Sequence, residues 1–362
     1  MASLDEPFVV GDLTVPNRIV MAPMTRMKSP GGVPGQEVAE YYARRAAHQV
    51  GLIITEGTYV GRAAARAYDD VPRFHGEQAL AGWAHVVERV HRAGGRIIPQ
   101  LWHTGVVRTG TEPPTEGPSG LGLDGGPAGR AMTQRDIDDT VAAFTEAAVT
   151  AERLGFDGVE LHGAHGYLID DFLWSTTNRR TDRYGGDPAS RARFGAEIVQ
   201  AIRAAVSPGF PVFFRFSQWK VNHYGARIAE NPEELEQLLT PLADAGVDVF
   251  HASTRRYWLP EFEGSELNLA GWTRKLSGKA VVTVGSVGLD RQFGEGQFAQ
   301  GYTGQAGVTG IGELVARLER DEFDLVAVGR TLLANPDWAA KALRGELAGT
   351  VPYDPAVLTT LV

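Results

Sequence analysis

Along the chain, short runs in which nearly every residue is apolar alternate with longer segments whose apolar positions recur every three to four residues. A run that is apolar at every position is the signature of a strand covered on both faces, and the longer period is that of an amphipathic helix laid over it. Eight runs of the first kind occur, at Arg18–Met24, Leu52–Thr55, Arg96–Trp102, Gly158–His162, Val212–Ser217, Val247–Ala252, Val281–Gly285 and Leu325–Gly329. Helical periodicity falls at Glu37–Gln49, Ala79–Ala93, Arg135–Leu154, Arg191–Ala205, Pro232–Ala245, Leu269–Leu276 and Glu313–Arg320, and again at Pro336–Arg344. Gly51, Gly94, Gly155 and Gly246 stand just beyond periodic segments, where a left-handed cap favours glycine. Ahead of the first run, Phe8–Val15 has the pattern of a hairpin turning at Gly11-Asp12.

Eight β/α units in series predict an α/β protein built as a single (β/α)8 TIM barrel spanning residues 1–362, with an N-terminal hairpin. In such barrels the chemistry sits at the carboxyl ends of the strands. Residues 103–132, 255–268 and 288–309 are rich in Gly, Pro, aromatic and polar residues and are expected to form extended loops over that face. Gly301, Gly304 and Gly307 make a GxxGxxG run with no strand leading into it, which reads as loop and not as a dinucleotide fingerprint.

Composition narrows the class. With 362 residues, 43% of them hydrophobic and 22% charged, the chain has ample material for a buried core. A net charge of −9 argues against a nucleic-acid footprint, which draws on an excess of Lys and Arg. No apolar stretch approaches the roughly 20 residues of a membrane helix, and the first residues have no leader-peptide pattern, so a cytoplasmic protein with small-molecule partners is expected, as a monomer or homodimer. The absence of cysteine removes disulfides, thiolate nucleophiles and iron–sulfur clusters, leaving any metal to His and carboxylates.

Polar residues interrupt the runs near their carboxyl ends: Thr25 and Arg26 after the first, Glu56 after the second, Gln100 and His103 around the end of the third, Arg215 within the fifth. The fourth ends in the densest cluster of the chain, His162, His165 and Tyr167. Three such groups within six residues suit stabilisation of a developing oxyanion with proton delivery; a structural pair of histidines or a metal pair fits the bare spacing too. Arg215 inside a barrel calls for an electron-rich or anionic partner, or for an ion pair such as Glu160. Gly285-Ser286 after the seventh run, and Gly329-Arg330 after the eighth, occupy the usual phosphate position of a barrel.

With these positions in view the chain resembles the Old Yellow Enzyme family of flavin-dependent ene-reductases. The resemblance is carried by Ala22-Pro23-Met24-Thr25-Arg26, Thr55-Glu56-Gly57, Gln100-Leu101-Trp102-His103-Thr104-Gly105, the His162/His165/Tyr167 cluster, Asn178 through Gly186, and Gly329-Arg330 ahead of Asn335-Pro336. It implies non-covalent FMN, reduced by NADPH or NADH in a ping-pong scheme, and reduction of activated C=C bonds in enones, enals, maleimides and nitroalkenes. Pro23, Met24, Thr25, Gly57, Gln100 and Arg215 then line the flavin ring, and Gly285, Ser286, Gly329 and Arg330 hold its phosphate. His162 and His165 grip the substrate oxygen while hydride passes from flavin N5 to the β-carbon, and Tyr167 protonates the α-carbon. Tyr68, Trp102 and Trp258 are candidate walls of the substrate pocket, with Tyr257, Phe262 and Trp272 the nearby aromatics least matched to the family. The rival readings are a metal-dependent hydrolase on the same barrel, using His103, His162, His165 and His251, and a non-catalytic flavin carrier.

Overall fold

The computed structural model describes residues 3–66, 68–108, 114–292 and 304–362. Among these, eight parallel strands close into a barrel: β1 (Ile19–Met21), β2 (Leu52–Tyr59), β3 (Ile97–Trp102), β4 (Val159–His165), β5 (Val212–Lys220), β6 (Val249–Ser253), β7 (Ala280–Val284) and β8 (Leu325–Val328). The helices are α1 (Gln36–Ala47), α2 (Glu77–Arg92), α3 (Gln134–Arg153), α4 (Leu168–Leu173), α5 (Pro188–Ala205), α6 (Pro232–Asp244), α7 (Leu269–Ser277), α8 (Gly312–Glu319), α9 (Arg330–Ala334) and α10 (Trp338–Leu343). Each long helix turns its apolar stripe onto the outside of the barrel, where Val86, Phe144, Ile198, Leu238 and Leu314 are buried against the sheet.

Inside the barrel the alternation of strand residues builds a second, separate core. Val20, Leu52, Ile54, Ile98, Phe213, Val249, Val282 and Leu325 fill the lower layers, and Leu13 and Val15 close the bottom. Those two belong to the N-terminal hairpin, whose strands Phe8–Val10 and Leu13–Val15 pair antiparallel around Gly11. Gly11 has φ +54, and a Cβ there would lie 2.2 Å from the Gly209 carbonyl oxygen, so this turn requires glycine. One layer higher the inward positions turn polar. Register aligns Gln100 with Glu160, His162 with Arg215, and Arg215 with His251, setting amide, carboxylate, imidazoles and guanidinium side by side at the upper end.

Three sequence expectations are corrected. The second strand continues past Thr55 to Tyr59, across a register shift between Ile54 and Gly57, so Glu56 and Gly57 belong to the strand. The fourth and fifth strands run on to His165 and Lys220, again with an irregularity between Gly163 and His165; polar side chains there end the apolar signal before the pairing ends. Gly51 is no left-handed cap: Gln49 takes φ +67 instead, and Gly51 is needed because a Cβ would lie 2.7 Å from the Asn17 carbonyl oxygen. The other three glycines do have positive φ. The 103–132 stretch adds two paired two-residue strands, Glu116–Gly117 and Arg130–Ala131. Gly301 and much of the 288–309 stretch lie outside the described residues.

Candidate active site

At the carboxyl ends of the strands a cleft of about 1100 Å³ opens, walled by the segment that follows β1, by β2 to β8 and by the segments after β6 to β8. Its floor is a buried polar network. The Gln100 side-chain amide donates to Glu160 Oε1 at 2.8 Å, and His251 Nδ1 lies 2.7 Å from Glu160 Oε2. Both carboxylate oxygens of Glu160 are thereby engaged by other groups, and Arg215 Nη2 donates instead to Ser253 Oγ at 3.2 Å. Burial lowers the Arg215 guanidinium to about 10, with the Glu160 charge opposing, so it stays cationic at neutral pH. The ion-pair reading of Arg215 reduces to a long-range interaction, and a buried cation facing the cleft remains.

Two imidazoles, a phenol and two indoles gather at the β4–β5 side. His162 and His165 meet edge to face with centroids 5.2 Å apart, and the Tyr167 ring stands 4.8 Å from both His162 and Trp102. His165 takes φ +68 and Gly166 φ +84, successive left-handed residues that turn the strand sharply. A non-glycine residue in that region is strained, and Asn and His tolerate it best. The turn is held from several sides: the His165 amide donates to Ser217 Oγ (2.9 Å), the Gly166 amide to Asp170 Oδ2 (2.6 Å), and Asp170 pairs with buried Lys220 at 2.9 Å. His165 Nε2 lies 2.8 Å from Ser253 Oγ. His162 Nδ1 is buried and has no hydrogen-bond partner among the described residues, as is true of Arg215 Nε. Burial, reinforced by the Arg215 charge, holds both imidazoles well below the ordinary histidine value. Both are therefore neutral at pH 7, with a single N–H each to donate.

The segment after β1 is pinned from below. Glu56 accepts from the amides of Arg26 (2.8 Å) and Met27 (3.3 Å), which fixes Pro23-Met24-Thr25 along the cleft wall. Burial pushes the Glu56 carboxyl up to about 7, against the pull of those two amides. A carboxyl whose folded value exceeds its unfolded one contributes stability that is full below about 4.5 and is lost as pH rises through about 7. Glu56→Gln removes that slope, so its unfolding free energy should gain on the parent by on the order of 2–3 kcal/mol between pH 4.5 and 8. Parallel urea-unfolding stabilities across this range would overturn the assignment.

At the opposite end, Ser286 (φ +53) follows Gly285, where a Cβ would lie 2.6 Å from Thr254 Oγ1. Arg330 Nη2 donates to Ser286 Oγ at 3.1 Å, and its guanidinium lies over Tyr353 at 5.6 Å. Gly329 and Arg330 line the same cleft, putting the polar β7–β8 end opposite His162 and His165.

The cleft thus brings together Pro23, Met24, Thr25, Gly57, Gln100, Trp102, His162, His165, Tyr167, Arg215, Gly285, Ser286, Gly329 and Arg330. It does not take in Tyr68 or Trp258. Tyr68 packs 6.4 Å behind Trp102, and Trp258 sits edge to face on Tyr257 at 5.2 Å with its carbonyl accepting from Arg317. Phe262 and Trp272 pack on each other. Trp102 does line the cleft, and so does an aromatic the sequence reading missed, Trp219, stacked on His165 at 4.2 Å; its signal was the period-two continuation Arg215, Ser217, Trp219 past the end of the apolar run. Leu358 also reaches the cleft, on a C-terminal segment whose Val357 and Thr360 carbonyls accept from Arg26. His103 is spoken for by Glu116 (3.2 Å) and the Gly105 amide, and His251 by Glu160, so the four histidines of the hydrolase reading do not converge.

Residues 3–303 match the family model described as NADH:flavin oxidoreductase / NADH oxidase. The chain is 34% identical over 350 residues to an NADH oxidase of Thermoanaerobacter brockii, covering 93% of this chain but half of that protein's length. It is 33% identical over 346 residues to a putative 12-oxophytodienoate reductase 2 of Oryza sativa subsp. japonica, covering 91% of this chain and 84% of the other. Among solved structures it is similar to morphinone reductase in complex with tetrahydroNAD, with a TM-score of 0.82, 31% identity, and coverage of 99% and 94% of the two chains.

Proposed function

Because the chain belongs to the NADH:flavin oxidoreductase / NADH oxidase family, the Old Yellow Enzyme family, and is an FMN- and NAD(P)H-dependent oxidoreductase, we propose that it reduces the C=C bond of electron-poor alkenes. Enones, enals, maleimides and nitroalkenes are the substrates this reading names, taken up after the oxidised nicotinamide has left. The observation that carries it is the pairing of two neutral, buried imidazoles with Tyr167 at one end of the cleft, one imidazole nitrogen lacking any partner among the described residues.

The residues present fit the cofactor. A buried guanidinium and an unpartnered Nε face the middle of the cleft, where an electron-rich ring system satisfies both, and Ser286 and Arg330 stand at the end where a phosphate belongs. Pro23, Met24, Thr25, Gly57, Gln100 and Arg215 would line the ring; Gly285, Ser286, Gly329 and Arg330 would hold the phosphate. When bound, the flavin supplies the hydride. His162 and His165 donate N–H to the substrate's carbonyl or nitro oxygen and stabilise the charge that develops on it. Tyr167 delivers its phenolic proton to the α-carbon. Trp102 and Trp219, flanking the two imidazoles, keep the oxygen's surroundings apolar and so strengthen both donors.

A visible spectrum tests the reading. The purified protein should carry flavin bands that bleach anaerobically with NAD(P)H and return on adding cyclohexenone. Return with dioxygen but with no alkene in a panel of enones, maleimides and nitroalkenes would overturn it.

A further inference from the structure

Behind one wall of the main cleft lies a second cavity of about 710 Å³, and Trp219, Ser253, Thr254 and Arg255 border both. Of these four, Trp219 is the one whose ring meets a reacting imidazole, stacked on His165 at 4.2 Å and 26°. Ser253 Oγ is engaged by His165 Nε2 (2.8 Å) and Arg215 (3.2 Å), and Thr254 donates its hydroxyl to the Val284 carbonyl. The indole of Trp219 is half-buried and anchored, its Nε1 donating to the Ser253 carbonyl at 3.1 Å, so it stands as a fixed partition. The imidazole pair is thus flanked by two indoles with different backing. Trp102, alongside His162, is 2% exposed and packs into a cluster with Val71, Tyr167 and Val221. Trp219 instead has the second cavity behind it. Ala226, Leu259 and Leu269 give that cavity apolar lining, and its Arg227 and Glu261 are paired with each other at 2.8 Å.

We propose that Trp219 is a specificity-determining residue for alkene reduction: its indole closes the side cavity to groups carried on the substrate's carbonyl carbon. The cavity is then the apolar subsite that such a group enters once the indole is shortened. The proposal rests on the ene-reductase reading, which puts the substrate oxygen at His162 and His165. A group on the carbonyl carbon is attached next to the gripped oxygen, whereas a β-substituent lies on the far side of the double bond. The wall that stacks on His165 therefore meets the first kind of group and not the second. A bulky ring pressed against an anchored indole costs free energy through overpacking, because the partition has no slack to give. With the indole gone, the same ring finds apolar side chains to bury against, and the barrier becomes a binding contribution.

The test compares two isomeric enones in the holoenzyme: crotonophenone, with its phenyl on the carbonyl carbon, and benzylideneacetone, with its phenyl on the β-carbon. Trp219→Ala should raise the ratio of their kcat/KM values, crotonophenone over benzylideneacetone, by about tenfold or more against the parent, with a smaller rise in Trp219→Phe. Shortening the indole also admits water beside the imidazoles, a loss common to both isomers that cancels in the ratio. Leu259→Trp and Ala226→Phe narrow the side cavity at residues that do not line the main cleft, and each combined with Trp219→Ala should reverse the gain. An unchanged ratio, or a gain that survives both filling substitutions, overturns the proposal. If neither enone nor cyclohexenone reoxidises the parent, the ene-reductase reading falls and binding decides the partition on its own. Tightening of 2-phenylphenol, bulky beside its oxygen, relative to 4-phenylphenol in Trp219→Ala, read from the flavin charge-transfer band, then supports it; equal changes for the two isomers overturn it.

Discussion

Tyr167→Phe should slow reoxidation of the reduced enzyme by an enone about 10²–10⁴-fold while leaving reduction by NAD(P)H within a few fold of the parent. The expectation follows from what the substitution removes and what it keeps. Tyr167 is 5% exposed, its ring packed edge-on against Trp102 and His162 at 4.8 Å each, and Phe preserves that packing. Its backbone enters α4 by accepting from the Asp171 amide at 2.8 Å, a contact the side chain does not touch. The phenolic hydroxyl is what the substitution takes away, and the step that consumes its proton should suffer most. Stopped-flow measurement of the two half-reactions separates the cases. Equal losses in both halves would mean that Tyr167 shapes the cleft and donates no proton.

The barrel was legible because its strands are buried on both faces and its helices on one, so two hydrophobic periods alternate with little noise. What escaped is instructive in physical terms. Strands β2, β4 and β5 continue through polar residues at the mouth, where the side chains face a cleft and apolar patterning has nothing to report. Trp219 lies on such a continuation. Aromatic density in the sequence points instead to the 255–272 stretch, rich in Trp and Phe, where the rings pack on one another. No local pattern could pair Arg26 with the carbonyls of Val357 and Thr360, more than 300 residues away. The same holds for Glu160 with His251, which barrel closure brings to 2.7 Å. Residue chemistry at strand ends, by contrast, pointed to the right rim of the barrel, because parallel strands all deliver their carboxyl ends to one face.

Loss of the His162 imidazole should be the second large effect. His162→Ala is expected to weaken binding of phenols, which imitate the enolate-like oxygen, and to cost on the order of 10²–10³ in the alkene half-reaction. The geometry says why one histidine matters although two are present. His165 already has Ser253 Oγ at 2.8 Å from its Nε2, whereas His162 Nδ1 is buried without a partner among the described residues, so the incoming oxygen completes His162 and merely competes at His165. His165→Asn should accordingly be the milder change, since Asn accepts the positive φ at that position and keeps an N–H donor. Because burial holds both imidazoles neutral, the imidazole pair adds no titration of its own between pH 6.5 and 8, and with the Glu56 carboxyl near 7 removed in Glu56→Gln the pH dependence of phenol binding should follow the phenol's pKa. Absorbance titrations of the flavin–phenol charge-transfer band with phenols of graded acidity read both points. An unchanged titration in His162→Ala would remove this residue from the oxygen site, and a protein-borne inflection shared by all the phenols that persists in Glu56→Gln would contradict the neutral imidazole pair.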